Sequence, residues 1–328
     1  LEERLSYTHK GIEKRFESMS LADGCRLAGR VSGDSTVAYA WAYSQALEAL
    51  AGLAVPPRAL WLRALALERE RIANHLGDLG YLGNDGGFAF GLAQFSRLRE
   101  DLVRTNFAAF GHRLMMDFVV PGGVARDLDR DHAAAMVDEA KRVAAEVATL
   151  RGIYDEHDGL QDRFRTCGRV TPELAARLGL VGMAARASGQ ARDLRCDFAA
   201  APWEALAVRK AGATGGDVAA RVAVRFDELA ESLRLVRSIV DHLPEGDVRT
   251  PVPDVPPHRL GLGCVEGWRG PVLVALEAGP GGTIRRCHPH DPSWANWPVL
   301  EHAVIGNIVP DFPLINKSFN LSYSGQDL

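Results

Sequence analysis

Two ionisable residues share one stripe of the most regular helical pattern in this sequence, and a third lies one turn from each. Trp61, Leu65, Ile72, Leu79 and Leu82 recur at alternating spacings of three and four; Glu68 and His75 fall on the same stripe, with Arg71 one turn from each. A carboxylate on an inward stripe is costly unless it is paired. Two readings are open: a structural network in which Arg71 neutralises Glu68, or a proton relay that uses Glu68 and His75. A second group is the hydroxyl pair Ser32 and Ser35, three residues apart in Arg30-Val31-Ser32-Gly33-Asp34-Ser35. Two cysteines at that spacing on the lip of a helix bind a soft metal as thiolates. Serine hydroxyls stay protonated near neutral pH and are weak, hard donors, so this pair does not do that work. On local grounds it is a turn followed by an N-cap, with Ser35 satisfying free amides of the helix start. Ser322 and Gly325 repeat the spacing near the other end of the chain.

These residues need elements to position them. Residues 36–51 are almost entirely apolar, with Tyr39, Trp41 and Tyr43 among alanines, which predicts a helix buried all round at the centre of a bundle. Gly52 ends it and Pro56-Pro57 opens the next, over 57–82. Further helices are expected over 92–118, 130–154 and 217–242. Residues 158–216, which carry Arg186 between two alanines, lack helical periodicity and read as an irregular insertion. A proline-rich linker at 244–257 precedes two strand-like runs, Gly263–Glu277 and Thr283–His288, joined by the hairpin signal Gly279-Pro280-Gly281-Gly282. His288-Pro289-His290 offers two imidazoles without a third ligand and reads as a loop. A last helix around Asn296–Ile305 leads into a closing loop. The expected fold is one mainly α domain over 1–328 with small β elements at both ends, an α+β arrangement. Residues 36–157 and 217–243 form its helical bundle, and 258–328 its β-hairpin and closing loop.

Composition narrows the function classes. The chain has 328 residues, 47% hydrophobic and 24% charged, with a formal net charge of −4. That charge provides no footprint for nucleic acid or an anionic membrane. Five cysteines lie far apart and none forms Cys-x-x-Cys, so the chain supplies neither a zinc knuckle nor an iron–sulfur ligand set. Unpaired cysteines fit a reducing cytoplasm. No apolar run approaches the ~20 residues that span a bilayer, and no nucleophile–base pair, phosphate loop or dinucleotide fingerprint is present.

The motifs taken together resemble one superfamily, in order along nearly the whole chain. His9-Lys10-Gly11-Ile12-Glu13-Lys14, Arg30–Ser35, Glu68–Leu76, Pro121-Gly122-Gly123-Val124, Arg186-Ala187-Ser188-Gly189, the run from Gly216-Asp217 through Arg221 and Arg225 to Glu228, Glu266–Gly270 and Ser322–Gly325 are similar to nickel–iron hydrogenase large subunits. The membrane-complex branch is the nearest: the large subunits of hydrogenase-4 and formate hydrogenlyase, and their counterpart in respiratory complex I, the NADH-quinone oxidoreductase. The resemblance implies the central helical bundle of those subunits. It also implies that Glu13 passes protons beside the pocket, that Glu68, Arg71 and His75 form a relay, and that Arg186 points into the cavity. Ser32, Gly33, Ser35, Ser322 and Gly325 mark the lost metal or quinone site. The tyrosine that contacts quinone in complex I falls on Gly33, and the matching histidine belongs to a hairpin preceding Leu1.

What the resemblance implies functionally is a subunit of a membrane-associated oxidoreductase, peripheral on the cytoplasmic face. Its partners would be a small iron–sulfur subunit and membrane-arm subunits, with quinone as acceptor and no cofactor bound by this chain alone. The alternative is a non-catalytic scaffold with a decayed site. Residue chemistry excludes a nickel–iron centre, because low-spin nickel needs readily ionised strong donors such as thiolates, whose reference pKa is about 8.5. Protein from nickel-supplemented cells should therefore carry only adventitious nickel by metal analysis. One tightly held nickel per chain would overturn the reading of the two loops.

Overall fold

The computed structural model describes residues 1–198 and 200–328. Its helices are α1 (Ile12–Phe16), α2 (Leu21–Ala28), α3 (Thr36–Ala51), α4 (Pro57–Asp85), α5 (Ala89–Phe110) and α6 (Arg130–Glu156). Five short helices follow: α7 (Asp158–Phe164), α8 (Pro172–Leu178), α9 (Gly182–Arg186), α10 (Leu194–Asp197) and α11 (Trp203–Leu206). Then come α12 (Val218–Asp241), α13 (Ser293–Ala303), α14 (Phe312–Phe319) and α15 (Tyr323–Gln326). The strands are β1 (Val119–Val120), β2 (Gly123–Val124), β3 (Leu260–Glu266), β4 (Pro271–Ala278) and β5 (Ile284–His290).

The expected central helix is α3, buried on every side by α2, α4 and the β3–β4–β5 sheet. Its close packing depends on the strand that covers it. A Cβ on Gly263 would lie 1.9 Å from the Ala42 carbonyl, and one on Gly261 2.1 Å from that of Ala46. Helix α4 packs on α5, α12 and α14, and α6 closes the bundle against α12 and α5. Local signals set the helix ends: Ser20, Asp129 and Asp217 cap α2, α6 and α12 through their side chains, and Gly52 ends α3 in the left-handed region. Buried Arg63 joins α4 to Glu48 of α3 and donates to the carbonyls of Val120 and Gly123. Glu48 in turn accepts from Gly122 N at 2.8 Å, so one ion pair fixes the Pro121-Gly122-Gly123 turn.

Several expected boundaries shift, each for a visible reason. Gly263–Glu277 is two strands, not one, because Gly267–Gly270 turns the chain and pairs Glu266 with Pro271. The helix expected over 92–118 ends at Phe110, where Gly111 adopts φ 77°, and residues 111–118 form turns. The insertion at 158–216 holds helices too short to show a period. Among the described residues no strand precedes Val119, so the β element expected near the N-terminus is reduced to a bridge between Ser20 and Thr283. His288 and His290 are in β5 rather than a loop.

Candidate functional site

The two distant loops meet. Ser32 Oγ and Ser322 Oγ are 3.2 Å apart, and Ser32 donates to Asp34 Oδ1 at 2.7 Å. Gly325 N donates to Ser322 Oγ at 2.8 Å, and because Ser32 gives its proton to Asp34, Ser322 is the donor between the two serines. Asp34 is gripped by Arg269 through both oxygens, while its carbonyl accepts from Asn74 and from Trp268 Nε1. Burial opposes ionisation of Asp34, but Arg269 and the two serine hydroxyls hold its carboxyl below the usual range. Arg269 also donates to the Asn320 carbonyl at 2.5 Å, tying the turn between β3 and β4 to the terminal loop. Lys10 closes the outer side, donating to the Val31 carbonyl and to Ser324.

Helix α3 starts at this loop, but Ser35 does not cap it. The Glu70 carboxylate, reaching across from α4, accepts from Val37 N at 2.7 Å and from Ala38 N at 3.2 Å. Glu70 is buried, and burial pushes its carboxyl up to about 8. Nearby, the Asp291 carboxylate accepts from the buried Tyr39 hydroxyl at 2.6 Å. Asp291 also stands where a side chain on Gly325 would begin, its Oδ2 2.4 Å from the Cβ position.

Behind the loops lies a buried network centred on Glu228 of α12. Arg186 donates to Glu228 Oε1 at 2.7 Å, His75 Nε2 lies 3.0 Å from Oε2, and Arg71 Nη1 lies 3.4 Å from Oε2. Burial works against the charge on Glu228, yet Arg186, His75 and Arg71 keep it ionised well below the carboxylate range. Burial lowers His75, which makes it the neutral donor of that bond and leaves its Nδ1 unpartnered. Arg186 continues to Glu266 at 2.8 Å; Arg71 donates to the carbonyls of Glu266 and Gly267. A second arm joins Arg225 to Asp78, which also accepts from Asn320 of the terminal loop.

Glu68, Arg71, His75 and Arg186 are all fully buried here, as the stripe predicts for Glu68 and His75. The partner of Glu68 differs from expectation. Arg71 Nε approaches at 3.5 Å, but the close contacts are Arg195 at 2.8 Å and Ser232 at 2.6 Å. Ser32, Ser35, Ser322 and Gly325 come together at the loop junction, with Gly33 at its exposed edge. Glu13 is placed elsewhere, bonded to His288 Nδ1 at 2.5 Å with a third of its side chain exposed. Sequence reasoning passed over Asp34, Glu70 and Asp291, and over Asp193 and Arg195, which pair with each other beside Glu68. Glu70 carried a signal: it is a carboxylate inside a long buried helix with no basic residue one turn before it. Arg195 and Asp291 lie in stretches without periodicity and carried none.

The four ligand positions do not fit a nickel–iron centre. Two are directly hydrogen-bonded hydroxyls, and the space beside Gly325 is filled by Asp291. Gly325→Cys should therefore cost about 1–3 kcal/mol through overpacking, measured by urea unfolding. Ser322→Cys should lose only its hydroxyl bonds, about 1 kcal/mol; equal losses would contradict the crowding at Gly325. Glu68→Ala removes the acceptor of Arg195 Nη1 and of the Ser232 hydroxyl, leaving Arg195 paired with Asp193 alone, and should cost about 1–3 kcal/mol; stability unchanged in the same assay would reject the network.

Known proteins carry this architecture. A family model described as the 49 Kd subunit of the respiratory-chain NADH dehydrogenase matches residues 85–260. Formate hydrogenlyase subunit 5 of Escherichia coli is 33% identical over 99% of this chain and 57% of its own length. The chain thus spans little more than half of that relative. An NADH-quinone oxidoreductase subunit of Syntrophobacter fumaroxidans is 30% identical over 97% of this chain and 86% of its own. A subunit of the membrane-bound sulfane sulfur reductase, an archaeal respiratory membrane complex, superposes with a TM-score of 0.93 at 25% identity, covering 99% of this chain and 90% of that one. Among the described residues no helix is long and apolar enough to cross a membrane. With its fold, its ordered motifs and these matches in agreement, the chain belongs to the family of the 49 kDa subunit of the respiratory-chain NADH dehydrogenase.

Proposed function

We propose that this chain is the large subunit of a membrane-bound, complex I-like oxidoreductase without a nickel–iron site. It sits on the cytoplasmic side of the membrane and helps pass electrons from an iron–sulfur partner to a quinone with linked proton movement. The observation that carries this reading is the buried charge behind the vacated site, in which Glu228 is held by Arg186, His75 and Arg71. Desolvating such a cluster is expensive, and apolar residues of similar volume are often at least as stable. Apolar packing would register the same elements at lower cost, so keeping the charges favours an active subunit over a scaffold. Gly33, where complex I-like relatives are expected to place a tyrosine, supports an open acceptor position: a Cβ there would meet only Met116 Cε, at 3.8 Å.

The surface beside the terminal loop supports a docked partner. Ile305, Ile308 and Val309, between α13 and α14, are 72, 65 and 89% exposed, and Tyr323 of the terminal loop is 58% exposed; an iron–sulfur subunit would cover these apolar side chains. Membrane-arm subunits would complete the complex. The direct Ser32–Ser322 bond favours a second reading, a scaffold whose site has closed on itself.

Purifying the native complex and supplying reduced iron–sulfur protein separates the two. Quinol formation is expected, with polysulfide tested as a second acceptor because the solved relative is named a sulfane sulfur reductase. An intact complex that reduces no acceptor would support the scaffold. Ile308→Asp combined with Val309→Asp should abolish co-purification of the iron–sulfur subunit and leave the circular dichroism of the chain unchanged.

A further inference from the structure

The largest cavity among those described lies away from the loop junction, between α2, α3, β1 and the proline-rich linker. Its volume is about 850 Å³, within the ~300–1,000 Å³ of small-molecule sites. The inner wall is apolar: Leu21 from α2, Ala40 and Leu47 from α3, Val119 from β1 and Val255 from the linker are all buried. Ala40 and Leu47 stand two turns apart on one helix, so the wall runs for about 10 Å. On the linker side, Pro251 and Pro253 bring no backbone N–H that needs an acceptor. Cys25, on the floor, is already engaged. Its thiol is within hydrogen-bonding distance of the Ala40 and Val119 carbonyls, and burial pushes it up to about 11, so it stays neutral.

Charge is confined to the rim. Arg26, Arg30 and Arg249 line it with Asp117 and Asp254, and none of the five is buried. Three arginines against two aspartates leave one positive charge over. Arg30 grips Asp117 through both oxygens, whereas Arg26 reaches it only at 3.9 Å, and Arg249 has no side-chain partner among the described residues. Two guanidiniums therefore keep donors to offer, and their planar fork suits a carboxylate.

We propose that this cavity binds the anion of a long-chain fatty acid, with its hydrocarbon tail along Ala40 and Leu47 and its carboxylate facing the rim arginines Arg26 and Arg249. The apolar wall accounts for the tail and the uncommitted guanidiniums for the head. A free acid suits the site better than a bilayer lipid, because the net charge of −4 gives the protein no attraction to an anionic membrane surface. The cavity shares no residue with the loop junction, so the inference does not rest on the function proposed above.

The test is calorimetric titration of the full chain with octanoate, decanoate and laurate, each kept below the concentration at which it forms micelles. One site per chain is expected, and each added methylene should tighten binding about fourfold as it enters the apolar wall. Arg26→Glu combined with Arg249→Glu should weaken laurate about tenfold and leave the dependence on chain length in place. Ala22 is an exposed helical position on the cavity wall, so Ala22→Trp fills the mouth without entering the core and should remove binding. The circular dichroism of both variants should match that of the wild type. No laurate binding by the wild type overturns the site, and so does an affinity that does not rise with chain length; neither outcome depends on a variant folding. Binding that both variants leave unchanged is adsorption elsewhere and overturns it as well. A chain that binds phosphatidylglycerol vesicles but no free acid has a membrane contact there instead of a ligand site. Binding to the chain alone that is lost in its native complex means that a partner subunit fills the cavity, and this too overturns the proposal.

Discussion

The arrangement depends on Glu228 remaining charged inside the protein. A lone carboxylate at that depth would be neutralised rather than tolerated. It survives because Arg186, His75 and Arg71 converge on it from α9 and α4. Two of those groups are fixed in turn by something else: Arg186 by Glu266, Arg71 by the carbonyls of the turn between β3 and β4. The sheet, the short helices of the insertion and helices α4 and α12 are therefore registered against one another by charge as well as by apolar packing. Removing Glu228 would leave three buried groups short of their common acceptor, whereas removing any one of the three leaves Glu228 the other two.

The loop junction uses the same logic at smaller scale. Arg269 leaves the sheet turn, grips Asp34 beside the N-terminal loop and binds the Asn320 carbonyl of the C-terminal one. A guanidinium has enough donors in a rigid plane to join both. The two loops are thus held together by ion pairing and hydroxyl bonds, with no shared metal needed to join them.

Much of this was legible in the sequence, and what was hidden has physical causes. The all-apolar stretch of α3 and the stripe of α4 announced burial, because period and burial are linked in a helix. Motif order along the chain announced the meeting of Ser32 and Ser322, a contact no local rule reaches. The partner of Glu68 stayed hidden because Arg195 lies in a four-residue helix, too short to display a period, and 127 positions away. The cap on α3 stayed hidden for a related reason: Ser35 has the right chemistry at the right place, but a carboxylate from the neighbouring helix is a stronger acceptor. Glu13 shows the opposite limit. Its motif is intact, and the structure nevertheless pairs it with His288 near the surface.

Asp291 beside Gly325 has an evolutionary consequence. A binding site that loses its ligands by substitution can in principle regain them one residue at a time. Here the space beside Gly325 is filled by a carboxylate, itself committed to Tyr39 and to the amide of Ser293. Reinstating a thiol there requires Asp291 to leave first, and its departure strands a buried hydroxyl. Packing therefore excludes a thiol at position 325 as firmly as the sequence does, and a chain that carried one would need a smaller residue than aspartate at position 291.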